Sequence, residues 1–142
     1  MTHHHPWRRL RELAHITLRW HVGGPLGWTD FATNEVSIRE GLTQAQRRST
    51  VCHETIHVER GPCLAGYDQH EERVVNELAA RRLIPLPTLI DVMLWTLDEY
   101  EMAEDLWTDV ETVRTRLATL SVAERKMIQA ELDHRTESFP DA

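Results

Sequence analysis

At 142 residues, 41% hydrophobic and 27% charged, the chain has the proportions of one globular domain with room for a core. No apolar run approaches the roughly 18 to 20 residues of a membrane span, residues 1–11 lack the apolar stretch of a secretory signal, and two cysteines are too few for a disulfide framework, so a cytoplasmic protein with free thiols is expected. The net charge of -7 is uneven: residues 1–66 hold eight Arg against six acids, while residues 67–142 hold eight basic side chains against seventeen acids, a poor surface for phosphate-rich nucleic acid.

In chain order, Trp7, Leu10, Leu13 and Ala14 have helical spacing and predict a short opening helix. Ile16, Leu18, Trp20 and Val22 alternate with Thr17, Arg19 and His21, which predicts a half-buried strand ended by Gly23-Gly24-Pro25. Trp28–Phe31 and Val36–Ile38 read as two more short strands joined at Thr33-Asn34, so a three-stranded antiparallel meander is expected. The remainder reads as helix, near 44–60, 69–84, 88–95, 98–107, 110–119 and 122–134. Capping-box spacings recur at Thr43/Gln46, Asp68/Glu71, Thr96/Glu99 and Ser121/Glu124. The expected fold class is α+β, one domain: residues 1–85 as sheet plus active-site helices, 86–135 as a helical C-terminal subdomain, and 136–142 as a frayed tail.

The first long helix contains His53-Glu54-Thr55-Ile56-His57. Residues i and i+4 share a helical face one turn apart, so both imidazoles can reach one tetrahedral ion. Glu54 lies beside that face and can hydrogen-bond a water at the metal without taking a coordination position, as a metal-assisted hydrolase requires. Chance predicts roughly 0.06 occurrences of this pattern in a chain with nine His and fifteen Glu, and the pentapeptide falls inside a capped helix. Two His on an apolar face can also be core histidines with satisfied nitrogens; the position of the pentapeptide in the middle of an independently capped helix favours a metal.

Zinc needs a third protein ligand, and the next helix offers Glu71, Glu72, Glu77 and His70. Val75, Leu78, Ala79 and Leu83 form its inward stripe, and Glu72 falls on that stripe three residues before Val75. A metal would compensate a carboxylate placed there. Asn76, one turn on, is placed to hydrogen-bond a ligand His, while Glu71 and Glu77 point outward into solvent.

His53-Glu54-x-x-His57 followed by Glu72-x-x-Val75-Asn76-x-Leu78-Ala79-Ala80-x-x-Leu83-Ile84-Pro85 resembles the ImmA/IrrE family of metallopeptidases over residues 30–85. The chain departs from that pattern at Val75, Leu78 and Thr55. The resemblance implies a zincin-like, mostly helical domain with a small sheet before the active-site helix. It implies zinc held by His53, His57 and Glu72, with Glu54 as catalytic acid/base and Asn76 in the outer shell. It also implies a substrate: a helix-turn-helix repressor, as found in phages and mobile elements, cleaved at a specific bond. Tyr67, His70 and Tyr100 are candidate oxyanion or substrate contacts, and the Val36–Ile38 strand is a candidate edge for an extended substrate.

The alternative function class is a zinc-stabilised interaction module, a toxin or regulator component that binds its partner without cutting it. Both readings need the metal, and only the first needs Glu54. Residues 98–120 are spaced like a helix-turn-helix, but residues 98–117 carry seven acids and two arginines, so no direct nucleic-acid binding is expected. That segment is expected to pack through Leu106, Val110, Val113 and Leu117 and to suit a basic partner. His3-His4-His5 reads as a disordered terminus, Cys52 as a buried thiol and Cys63 as a thiol without a partner. The five tryptophans read mostly as core or groove lining.

Overall fold

The computed structural model describes residues 4–137, as three strands and seven helices. In order they are α1 (Pro6–Glu12), β1 (Thr17–His21), β2 (Gly27–Asp30), β3 (Glu35–Arg39), α2 (Gln44–Arg60), α3 (Asp68–Leu83), α4 (Leu86–Met93), α5 (Glu99–Leu106), α6 (Val110–Ala118) and α7 (Val122–Glu137). The α+β class is as expected. Thr136 and Glu137, expected to fray, are helical; residues 1–3, with His3, and 138–142 lie outside the described residues. His4 is ordered and half-buried, contrary to the expected disordered terminus.

The sheet is mixed instead of an antiparallel meander. Its order is β1-β3-β2, with β1 parallel to β3 and β2 antiparallel to it. After β1 the chain turns at Gly23 and Gly24, both at positive φ, crosses the end of β3 and returns as β2. His21 fastens this crossover: its Nε2 donates to the Pro25 carbonyl at 2.7 Å, which leaves Nδ1 to accept from the Ser37 hydroxyl at 2.7 Å. Its ring stacks on Trp28 at 3.9 Å. The hydrophobic alternation of β1 fixes its faces but says nothing about its neighbour, and the pairing follows from this crossover. As the central strand, β3 has no free edge for a substrate, and Val36 and Ile38 are fully buried.

α2 stands between two cores. Val51 and Val58 join Leu10, Val36, Ile38 and Leu42 under the sheet, while Cys52 and Ile56 join Val75, Leu83, Leu89, Met102, Leu106 and Val113 among the helices. That second core runs from α2 to α7, so residues 86–135 share it with α2 and α3. Thr55, polar where the resemblance calls for an apolar residue, is fully buried, and its hydroxyl donates to the Val51 carbonyl at 2.7 Å.

Local capping signals hold where the partner is four residues or fewer away and no competitor intervenes. Thr43 and Gln46 form the reciprocal box, as do Ser121 and Glu124. Asp98 caps α5 in place of Thr96, whose hydroxyl accepts from the Asp98 N–H. Asp68 accepts from the Cys63 thiol at 3.1 Å and caps nothing, while Glu71 is drawn away to Arg60. Cys63 therefore has a partner, and the Asp68 carboxylate beside it raises its pKa. Cys52 is buried as expected, and burial pushes its thiol up to about 12.

Two buried arginines tie the helices down. Arg48 donates to the carbonyls of His4, Leu106 and Trp107, and Arg116 to the Ile84 carbonyl and Glu124. The segment spaced like a helix-turn-helix packs inward through Leu106 and Val113, with Val110 and Leu117 partly buried against the core. Trp20, Trp28, Trp95 and Trp107 are 43–58% exposed and so outside the core, but Trp7, Trp28, Trp95 and Trp107 line surface clefts, as expected of groove lining.

Candidate metal centre

His53 and His57 leave α2 on one face, and Glu72 comes across from the first turns of α3. The His53 and His57 Nε2 atoms lie 3.1 Å apart; Glu72 Oε2 is 3.1 Å from His53 Nε2, and Oε1 is 2.6 Å from His57 Nε2. Ligands at 2.0–2.1 Å around a tetrahedral ion sit about 3.3 Å from one another, so the trio needs only a slight expansion to receive one. Among the described residues it is the one His/Cys/Asp/Glu group that could hold a metal ion. Two imidazoles and a carboxylate make a donor set with one tetrahedral position to spare.

The burial of α3 differs from the sequence pattern. Val75, Ala79, Ala80 and Leu83 are buried, but Leu78 is 38% exposed and Glu72 lies at the rim with its side chain 51% exposed. The more buried carboxylate is Glu71, held by the Arg60 guanidinium, which keeps it below the usual carboxylate range. Glu71 is thus a structural anchor between α2 and α3, not a solvated side chain. Glu77 pairs with Arg81 on the outer surface.

Glu54 is 5% exposed and lines two clefts that meet at the metal trio. One, of about 390 Å³, also involves His53, Asn76, Ser49, Thr112 and Leu26. The other, of about 450 Å³, involves His57, Glu72, Trp28, Thr29 and Phe31. Asn76 faces the first cleft, without a hydrogen bond to either imidazole among the described contacts. Tyr67, His70 and Tyr100 line neither cleft. Tyr67 and His70 border a separate depression beyond Arg60, and Tyr100 lies under the Arg114 guanidinium on α5.

Two residues of the site had no marker in the sequence. Thr29 donates its hydroxyl to Glu54 Oε2 at 2.6 Å. Gly27, two residues earlier on the same face of β2, lets the strand approach α2: a Cβ there would meet Thr50 Cγ2 at 2.7 Å and Glu54 Cγ at 3.2 Å. Trp28, half-exposed, lines the same cleft.

No described helix is long and apolar enough to cross a membrane. Comparison with models of known families, with curated proteins and with solved structures finds no match to this chain.

Proposed function

We propose that the chain is a zinc-dependent endopeptidase of the ImmA/IrrE type, cytoplasmic, that hydrolyses a peptide bond in a repressor-like regulatory protein. The observation that carries this reading is the convergence of His53, His57 and Glu72 from two helices beside a buried Glu54 that faces both clefts. Bound zinc supplies a Lewis acid that acidifies water and polarises the scissile carbonyl. Glu54 takes the proton of the attacking water and delivers it to the leaving amine nitrogen. Thr29 donates to Oε2 of that carboxylate, which leaves Oε1 to accept from the water. β2 is an edge strand whose residues line the cleft, and an extended substrate lies along it by backbone pairing. The acidic 98–117 segment favours a basic, DNA-binding substrate.

Elemental analysis of the metal-reconstituted protein, with its His57→Ala and Glu72→Ala variants, is the first test. About one zinc per chain is expected in the parent, with binding sharply weakened in both variants. Glu54→Gln keeps the metal and loses cleavage of a helix-turn-helix repressor substrate, because an amide cannot accept the proton. Zinc-dependent repressor binding that proceeds without cleavage would instead favour the interaction-module reading.

A further inference from the structure

A cavity larger than either cleft at the metal trio lies away from it, where α1, the first turn of α2 and the α5–α6 turn meet. It measures about 660 Å³, within the roughly 300–1,000 Å³ of small-molecule sites. Trp7, Arg8, Arg11, Arg47 and Trp107 line it, together with Glu104. On α2 its lining ends at Arg48, five residues before His53, about 7.5 Å by helical rise.

Its charge runs against that of the molecule. In a chain of net charge -7, Arg8, Arg11, Arg47 and Arg48 face this cavity against one carboxylate, Glu104. The arginines of α1 divide their work. Arg9 pairs with Glu12 and Glu59, whereas Arg8 and Arg11, one turn apart, engage no carboxylate among the described contacts. Beside them Gln44 and Ala45 open α2; their N–H groups precede the first possible intrahelical acceptor, and the capping box serves Gln46 and Thr43 instead. Guanidinium groups and free first-turn N–H groups together recognise a phosphate.

The walls add a second requirement. Trp107 ends α5 in the left-handed region at φ 57, where glycine is the ordinary choice and a bulky side chain is strained. Arg48 holds the Trp107 carbonyl at 3.0 Å, and the indole stays 58% exposed on the cavity. Trp7 lines the cavity from α1, with its indole also stacked on Trp20 at 5.8 Å between ring centroids. Planar faces beside a phosphate-recognising wall fit an aromatic base. We infer that this cavity binds a nucleoside monophosphate, the phosphate on Arg8, Arg11 and the first turn of α2, and the base against the indoles of Trp7 and Trp107. A free nucleotide suits it better than a nucleic-acid strand, because residues 67–142 carry a net charge of -9 and repel a long polyanion.

Isothermal titration calorimetry of the full chain tests this, with adenosine 5′-monophosphate, guanosine 5′-monophosphate, adenosine, inorganic phosphate and a short single-stranded oligonucleotide as probes. At least one mononucleotide is expected to bind at least tenfold more tightly than adenosine or phosphate alone, and more tightly than the oligonucleotide. Arg8→Ala/Arg11→Ala should weaken it by about tenfold or more. Trp107→Gly should weaken it while leaving the melting temperature unchanged or raised, since glycine relieves the left-handed strain; this separates loss of the site from loss of the fold. No mononucleotide binding at millimolar concentration would overturn the proposal. So would affinity unchanged in either variant, phosphate binding equal to the mononucleotide, or tighter binding of the oligonucleotide.

Discussion

Gly27 and Thr29 show how much of the site depends on single atoms. With Thr50 Cγ2 only 2.7 Å from the position of an added Cβ, Gly27→Ala must push β2 off α2. An overpacking cost of about 1–3 kcal/mol is expected, read as a lower denaturant midpoint at constant m-value. Thr29→Val keeps the shape and removes the hydroxyl that donates to the buried Glu54. Losing a hydrogen bond to a buried carboxylate costs about 1–3 kcal/mol, and the same denaturation series reads it. Thr29→Ser should recover most of that loss, which a purely steric role for the threonine would not allow. Thr55→Val is the contrasting case. Its hydroxyl merely doubles a helical carbonyl already bonded within α2, so stability should change by under about 1 kcal/mol.

Among the elements, α7 is held to the rest partly by charge. Glu124 near its start accepts from Arg81 on α3 and Arg116 on α6, and these guanidinium groups hold its carboxyl well below the usual carboxylate range. A folded-state pKa depressed below the unfolded one contributes stability that is full above the unfolded value and fades as pH falls below it. Stability to urea should therefore drop as pH falls through and below about 4.5, and Glu124→Gln should remove part of that slope while lowering stability at pH 7. What was legible in the sequence at this scale follows from range. The Thr43/Gln46 and Ser121/Glu124 boxes could be read because both partners lie within one turn. Asp68 and Thr96 could not, because Cys63 and Asp98 compete for the same atoms. The i, i+4 spacing of His53 and His57 made their shared face legible, since helical periodicity fixes which side chains of one helix lie together, and Glu72 could be named as a candidate from its place on the next helix. It did not carry the exposure of Glu72, nor Thr29 and Gly27, which reach Glu54 across a strand-to-helix contact that no local pattern encodes. The parallel β1–β3 pairing was hidden for the same reason: strand order is a property of the crossover held by His21, not of any strand's own residues.

For the molecule as a whole, the uneven charge of the chain is matched by an uneven use of its aromatic side chains. Trp28 lies over the cleft near the metal trio, while Trp7 and Trp107 border the basic cavity at the other end of α2. If the chain cleaves a peptide as proposed, Trp28→Ala should weaken substrate affinity in a cleavage assay and leave metal content unchanged. The position of α2 between the sheet core and the helical core has a consequence for how the molecule comes apart. Neither core can open while the other stays closed without baring one side of this helix, so the two should melt together, in one calorimetric step. The amide protons of Val51 to Ile56 should then exchange with deuterated solvent only through that complete opening. A metal seated on His53 and His57 would slow their exchange to the extent that it stabilises the entire chain, although it touches only one flank of the helix.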